Sequence, residues 1–377
     1  MTSTDISAGT PDNSDASGGI VYERSAFGVT SAGEPVERWT LDDGTLRVSV
    51  LTYGGNIQKL EVPAGPDGQE RVDVVLGFDD IAGYEGTKAY ISALIGRVAN
   101  RLTNSAFTLD GTEYKITANE APNSLHGGVD GFNRRIWAAS PIEGGLRLSL
   151  TSPDGDQGYP GELTVTVDYL LLPGGTFRIR YDATTSAPTL INLTQHAYFN
   201  LGGVTGTPSI DGQTLQVASG HYTPVDPALL PSGEIAHVVG TPMDLRTAQP
   251  LDFLSLDHNL VLDEQEETEA GHGHGHGHTA AQSPDDLPTQ HFAAQLRHEA
   301  SGRTLTVTTS EPAIQVYTGS KLDGSDTGKG GVVYGASAGV CLETQNFPDA
   351  PNHEDFPSIV LRPGEQYLTV TDWAFSV

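Results

Sequence analysis

An antiparallel all-β protein, most simply a large β-sandwich with few short helices, is what this sequence predicts, and three observations predict it. Its 377 residues include 45 Gly and 23 Pro against 2 Met, a balance that favours many turns and short strands over long helices. Short runs alternating between apolar and polar residues are separated by turn dipeptides. No run of 12 or more residues keeps a 3.6-residue period.

Residues 1–19 are rich in Ser, Thr, Asp and Gly and read as a disordered tail, too poor in apolar side chains to pack. From Ile20 to Val377 the chain reads as one domain. Asp43-Gly44 separates two strand-like runs within 38–50, and Asp110-Gly111 separates two more within 107–116. Both dipeptides are hairpin signals, because Asp and Gly adopt positive φ readily. Runs at 146–150, 163–171 and 177–181 continue a meander into the polar segment 192–201. A Ser301-Gly302 turn lies inside 296–309, and strand-like runs at 313–317, 340–344 and 366–370 follow. One insertion, at about 263–290, is acidic, then alternates Gly with His272, His274, His276 and His278, then turns polar. In an extended chain these four imidazoles share a side, so a divalent metal would bind there incidentally. Glycine at every other position gives no fixed geometry, which a catalytic metal site needs, so a flexible loop is the expectation.

Charge and cysteine narrow the function. Lys and Arg total 20 against 48 Asp and Glu, a formal charge of −28, which repels nucleic acid and anionic lipid. Cys341 is the single cysteine, so no internal disulfide forms. The first 19 residues lack the basic and apolar regions of a signal peptide, and no stretch is apolar enough for long enough to span a bilayer. A soluble cytoplasmic protein is expected.

Read with the two-residue period of a strand, 192–201 places Leu193, Ala197, Phe199 and Leu201 on one face, with Gln195 out of place. Asn192, Thr194, His196, Tyr198 and Asn200 fall on the other, five hydrogen-bonding groups with no charged residue. Such a face suits a neutral polyhydroxylated ligand, though a polar outer face with a satisfied histidine fits as well. In 340–345, Cys341, Glu343 and Gln345 share a face opposite Leu342; a carboxylate flanked by neutral groups mid-strand points to function over structure. Gln315 and Tyr317 face away from Ile314 and Val316, which by itself is ordinary alternation. Asp257-His-Asn sits at a loop-to-strand junction where a turn explains it as well as a ligand does. His126 precedes paired glycines, where backbone approaches a ligand closely or a histidine is merely exposed. Arg97 and Arg101 lie four apart with Asn100 between, which also describes a salt-bridging surface turn. No phosphate-binding loop, dinucleotide fingerprint, CxxC pair or nucleophile elbow is present.

Taken together, these stretches resemble the aldose 1-epimerase, or galactose mutarotase, family. The resemblance is carried in chain order by GRVANRL at 96–102, NSLHGGVDGFNRRIW at 123–137, SPDGDQGYPGELTV at 152–165 and NLTQHAYFNL at 192–201. LDHNL at 256–260, IQVYTG at 314–319, CLETQNFPDAPN at 341–352 and LRPGEQY at 361–367 complete it, so it covers nearly everything from Ile20. It implies a galactose mutarotase-like supersandwich that needs no cofactor and acts on free aldoses such as glucose and galactose, as a monomer or weak dimer. The family's general base matches Glu343 and its general acid His196. Its substrate-holding positions match Asn100, Arg101, His126, Asp257 and Gln315. Many members have Asn-His where this chain has Gln195-His196, and alternation puts Gln195 off the site.

The chemistry implied is ring opening and reclosure of a pyranose. One group removes the anomeric proton while another protonates the ring oxygen, and the roles exchange on closure. From ordinary values of about 4.3 and 6.5, Glu343 is expected anionic at pH 7 and His196 able to supply a proton. Neutral neighbours are expected to desolvate Glu343 partly and raise its basicity, while a close Arg101 pulls the other way. Three alternatives are an epimerase of hexose 6-phosphates, which would need Lys or Arg clustered at the rim, a sugar-binding protein without turnover, and a metal-binding protein built around the histidine run.

Overall fold

The computed structural model describes residues 19–206, 208–252, 254–263 and 287–377. The expected tail, apart from Gly19, and the run His272, His274, His276 and His278 lie outside these residues. Every pairing between named strands is antiparallel, and three sheets carry the architecture. A five-stranded sheet runs in chain order through Val21–Val29, Pro35–Asp42, Arg47–Leu51, Ile57–Pro63 and Arg71–Asp73. A nine-stranded sheet begins with Ala138–Ile142, Gly145–Ser152, Leu163–Leu172 and Thr176–Thr185. It continues through Tyr367–Ser376, Thr304–Thr309, His291–His298, Gln213–Val217 and Gln249–Pro250. A six-stranded sheet is ordered Tyr198–Phe199, Val340–Gln345, Ala313–Tyr317, Asp257–Val261, His221–Tyr222, Ala236–His237. The α-helical content of the described residues is the six-residue Ile81–Gly86, capped by Asp80, whose carboxylate accepts from the Gly83 N–H at 2.9 Å. No helix among them is long and apolar enough to cross a membrane.

The turn chemistry behaves as the residues dictate. Asp110 and Gly111 both take positive φ, 50° and 79°, and join Ala106–Leu109 to Thr112–Lys115. Asp43 Oδ1 accepts from the N–H groups of Thr45 and Leu46, both at 2.7 Å, closing the next hairpin with a side chain. One continuous apolar core holds Leu41, Val48 and Leu60 from the first sheet, Val165, Tyr169 and Trp373 from the second, and Leu260, Ile314, Val316 and Leu342 from the third. Each such Leu or Val, shielded fully from water, contributes about 1.5–3 kcal/mol. That is the face-to-face packing of a β-sandwich.

Two expectations are corrected. The segment 192–201 is not one strand, and of its two readings the polar outer face fails, because all ten of its residues are buried. Thr194–Gln195 pairs with Leu94–Ile95, while Tyr198–Phe199 pairs with Val340–Gln345, so His196 sits where the chain crosses from one pairing to another. Alternation signals a half-exposed strand only when one face meets solvent, and here neighbouring elements cover both. The meander also does not run on into this segment. Thr176–Thr185 pairs instead with Tyr367–Ser376, a partner nearly 200 residues downstream whose arrival no local pattern announces.

Candidate active site

The floor of the site is the six-stranded sheet. Its register sets Gln315 opposite Glu343 and Asn259, and Tyr317 opposite Cys341 and Asp257. Residues directly opposite in a ladder share a face, so Asp257, Gln315, Tyr317, Cys341 and Glu343 all rise from one side. Leu260, Ile314, Val316 and Leu342 drop from the other into the core. Period-two reading of these strands separates the same two sets: the apolar set anchors the sheet, and Asp257, Tyr317 and Glu343 of the polar set reach a cavity.

The walls come from backbone in unusual conformations. Arg101–Leu102 pairs with Ser124–Leu125, which brings Asn100 against His126. The two residues take φ of 61° and 52°, the left-handed region. Tyr90, also at positive φ (53°), packs edge-on against the His126 ring with centroids 4.6 Å apart. Strained, over-determined backbone of this kind gathers at functional sites. His196 is held by its main chain: its N–H donates to Ala93 O at 2.9 Å and its carbonyl accepts from Ser92 N at 3.0 Å.

A cavity of about 420 Å³ results, and Asn100, Arg101, His126, His196, Asp257 and Glu343 all line it. Glu343 Oε1 lies 3.7 Å from His196 Nε2, and Cys341 Sγ lies 3.5 Å from His196 Nδ1. Gln315, the remaining expected residue, does not line the cavity; its Nε2 donates to Asp257 Oδ1 at 2.8 Å and so supports a residue that does. Asp257 Oδ2 also accepts from Lys321 Nζ at 3.0 Å. Arg97 is elsewhere, buried and donating to Ser152 Oγ, Pro160 O and Gly161 O, so it is an internal brace and not part of a surface turn. Gln195 is likewise off the site, between the Tyr169 hydroxyl and Ser92 O.

Burial moves Glu343 and His196 away from their ordinary values, each toward its neutral form. Glu343 is 2 % exposed, and desolvation pushes its carboxyl well above the usual range. The nearby Asp257 carboxylate adds to that rise and Arg101 opposes it. Desolvation likewise lowers His196 to about 4, although its backbone hydrogen bond and Asp257 favour the cation. His126 is pushed well down by burial, then by His196 and Arg101. In the free pocket burial thus disfavours the charged form of both Glu343 and His196, raising the Glu343 carboxyl and leaving His196 a neutral imidazole at neutral pH, because both are out of water.

His126, His196 and Glu343 offer ligand atoms within 4.8 Å of one another, close enough to suggest a metal centre. The proton positions say otherwise. Asn100 N–H donates to His126 Nδ1 at 3.1 Å, so the neutral ring carries its hydrogen on Nε2. His126 presents a donor to the cavity, which suits a hydroxyl oxygen and not a cation.

Several lining residues had no signal in the sequence. Glu120 grips Arg101 through both carboxylate oxygens, at 2.6 and 2.9 Å. Tyr90, Lys88, Lys321 and Asp326 come from loops that no pattern marked. Position beside the Asn123–His126 stretch was the nearest hint for Glu120.

The chain is similar to known proteins over most of its length. The family described as aldose 1-epimerase matches residues 37–372. Galactose mutarotase from Homo sapiens is 43% identical over 363 residues, spanning 94% of this chain and 98% of that protein. Aldose 1-epimerase from Escherichia coli (strain K12) is 32% identical over 347 residues, covering 91% and 96%. Among solved structures, a GalM/aldose epimerase homologue from C. elegans superposes with a TM-score of 0.77 at 31% identity, over 88% of this chain and 96% of that one.

Proposed function

This chain belongs to the aldose 1-epimerase family, and from that premise we propose which of its residues interconvert the α and β anomers of a free aldose such as glucose or galactose. The protein is an isomerase. Glu343 takes the proton from the O1 hydroxyl while His196 delivers one from Nε2 to O5, and the C1–O5 bond breaks to leave an open-chain aldehyde. Rotation about C1–C2 turns the other carbonyl face toward O5. Closure runs backward: His196 recovers the O5 proton, O5 attacks C1, and Glu343 returns its proton to O1.

The observation that carries this reading is the 3.7 Å separation of Glu343 Oε1 and His196 Nε2 on one cavity. That is longer than a hydrogen bond, so no bond between them must break when a sugar enters. The pair needs one proton between its two groups. Burial favours the carboxyl form of Glu343; a bound sugar's hydroxyl donors and Arg101 both favour the carboxylate, shifting the proton toward His196. Acid–base catalysis of this kind supplies about 10²–10⁴-fold, and holding the sugar supplies the rest. Asn100, Arg101, His126 and Asp257 grip hydroxyls away from C1, with Gln315 orienting Asp257.

Charge at the cavity supports a free sugar over its 6-phosphate. Lys88, Arg101 and Lys321 face Glu120, Asp257, Asp323, Asp326 and Glu343, and two of the three cations are already paired. The acidic composition and the single buried thiol fit a cytoplasmic monomer or weak dimer, which sedimentation velocity tests. Polarimetry of freshly dissolved α-D-galactose tests the activity itself: decay of rotation no faster than in buffer overturns the assignment.

A further inference from the structure

We propose that Glu120 is a positioning residue for this reaction, holding the Arg101 guanidinium against the cavity and balancing its charge there. The inference rests on reading the cavity as a sugar site. Arg101 Nε donates to Glu120 Oε2 at 2.6 Å and Nη2 to Oε1 at 2.9 Å, the two-point fork that fixes a guanidinium in plane. The Arg101 side chain is 7% exposed and that of Glu120 41%, so the carboxylate caps a nearly buried cation from the solvent side.

The two residues are held by one local unit. Glu120 N donates to Asn123 O at 3.1 Å and Asn123 N returns the bond to Glu120 O at 2.9 Å. Ser124–Leu125, next in the chain, pairs with Arg101–Leu102. Fork and carboxylate are therefore aligned before any ligand arrives. Among the described residues nothing accepts from Arg101 Nη1, which is left for a sugar hydroxyl.

Glu120 also conditions the acid–base pair from a distance. Facing Glu343 are Tyr317 and Tyr198 from the neighbouring strands, Asp257 from one strand further, Cys341 on its own strand, and His196, His126 and Arg101 from the walls. Arg101 is the lasting cation among them. Without the Glu120 charge its field acts on Glu343 uncompensated and favours the carboxylate.

The test is polarimetric mutarotation of galactose by the full chain, at several concentrations and across pH, for wild type, Glu120→Gln, Glu120→Ala and Glu120→Asp. Galactose-induced change in Tm gives a second, activity-independent reading of binding. Glu120→Gln and Glu120→Ala are expected to raise KM about tenfold, as losing a charged hydrogen bond implies, with kcat changed less. Both move the alkaline limb of the pH profile to lower pH, and Glu120→Asp recovers part of each effect. A merely structural role would not move that limb. Glu120→Gln keeps the side-chain shape, so the comparison stands even where Glu120→Ala fails to fold. Folded variants with wild-type KM and an unmoved limb overturn the proposal while leaving the sugar site intact. A wild type with neither mutarotation nor a galactose-induced Tm change removes the sugar site, and the role of Glu120 with it.

Discussion

Asn100 and His126 hold each other by two hydrogen bonds: His126 N–H donates to Asn100 O at 3.0 Å, and Asn100 N–H donates to His126 Nδ1 at 3.1 Å. The second bond decides which ring nitrogen keeps its hydrogen. His126→Ala removes that donor from the cavity and is expected to lower kcat/KM for galactose about 10- to 100-fold, chiefly through KM. Steady-state polarimetry checks it, and a KM equal to wild type contradicts it. Because His126 offers an N–H and not a lone pair, dialysis against EDTA is expected to leave the rate unchanged; a loss restored by zinc would reverse that conclusion.

Glu343→Gln keeps the shape and removes the ionisable group. Catalysed mutarotation is expected to fall by about 10²–10⁴-fold with the far-UV spectrum unchanged. Stability should move the other way. The Glu343 carboxyl is raised in the folded state, so its contribution is whole below the unfolded value, about 4.3, and is lost as pH rises through the folded value. The amide has no ionisation for burial to oppose. The Tm of the variant relative to wild type is therefore expected to climb from pH 4 to pH 9, and a constant difference would contradict the desolvation of Glu343.

The pair works with one proton, and its pH profile should say so. Below about 4 the His196 imidazole takes up a second proton and no base remains. Above the raised Glu343 value the pair holds none and no acid remains. A bell-shaped kcat/KM follows, with its acid limb near 4 and its alkaline limb displaced above the ordinary carboxylate range. Both limbs belong to the pair as a unit. An acid limb at the ordinary histidine value, about 6.5, would show that His196 is better solvated than its burial implies.

Asp257 and Lys321 should behave unequally. Lys321 has a side chain 58% exposed, and an exposed pair contributes about 0–1 kcal/mol. Lys321→Ala is expected to change KM by less than about fivefold. Asp257→Asn removes the charge that Gln315 Nε2 orients toward the cavity, and should raise KM by about tenfold or more. Equal effects from the two variants would mean that their ion pair, and not Asp257 itself, is what the sugar meets.

Legibility followed the reach of each signal. Asp110-Gly111 and Asp43-Gly44 announced their hairpins because a turn is settled by the residues inside it. The floor residues Cys341 and Glu343 were visible because their strand alternates over an apolar core. By contrast, 192–201 left its two readings open, since period two cannot tell a solvent face from one covered by other strands. The depth of burial at Glu343 and His196 was out of reach for a related reason: it comes from elements distant in the chain. Glu120 met Arg101 across a fold-back at 123–125 whose pairing partner no residue pattern names.

The strand Tyr367–Ser376 lies inside the nine-stranded sheet, between Thr176–Thr185 and Thr304–Thr309. On the ribosome, then, the earlier strands of that sheet wait with open edges until Tyr367–Ser376 has been made. Folding of this enzyme is bound to be late and slow relative to synthesis, since pairings so distant in the chain carry a large loop-closure entropy. Newly made chains are most exposed to edge-to-edge aggregation in that interval, which makes the yield of active protein a question of translation timing and chaperone supply as much as of native stability.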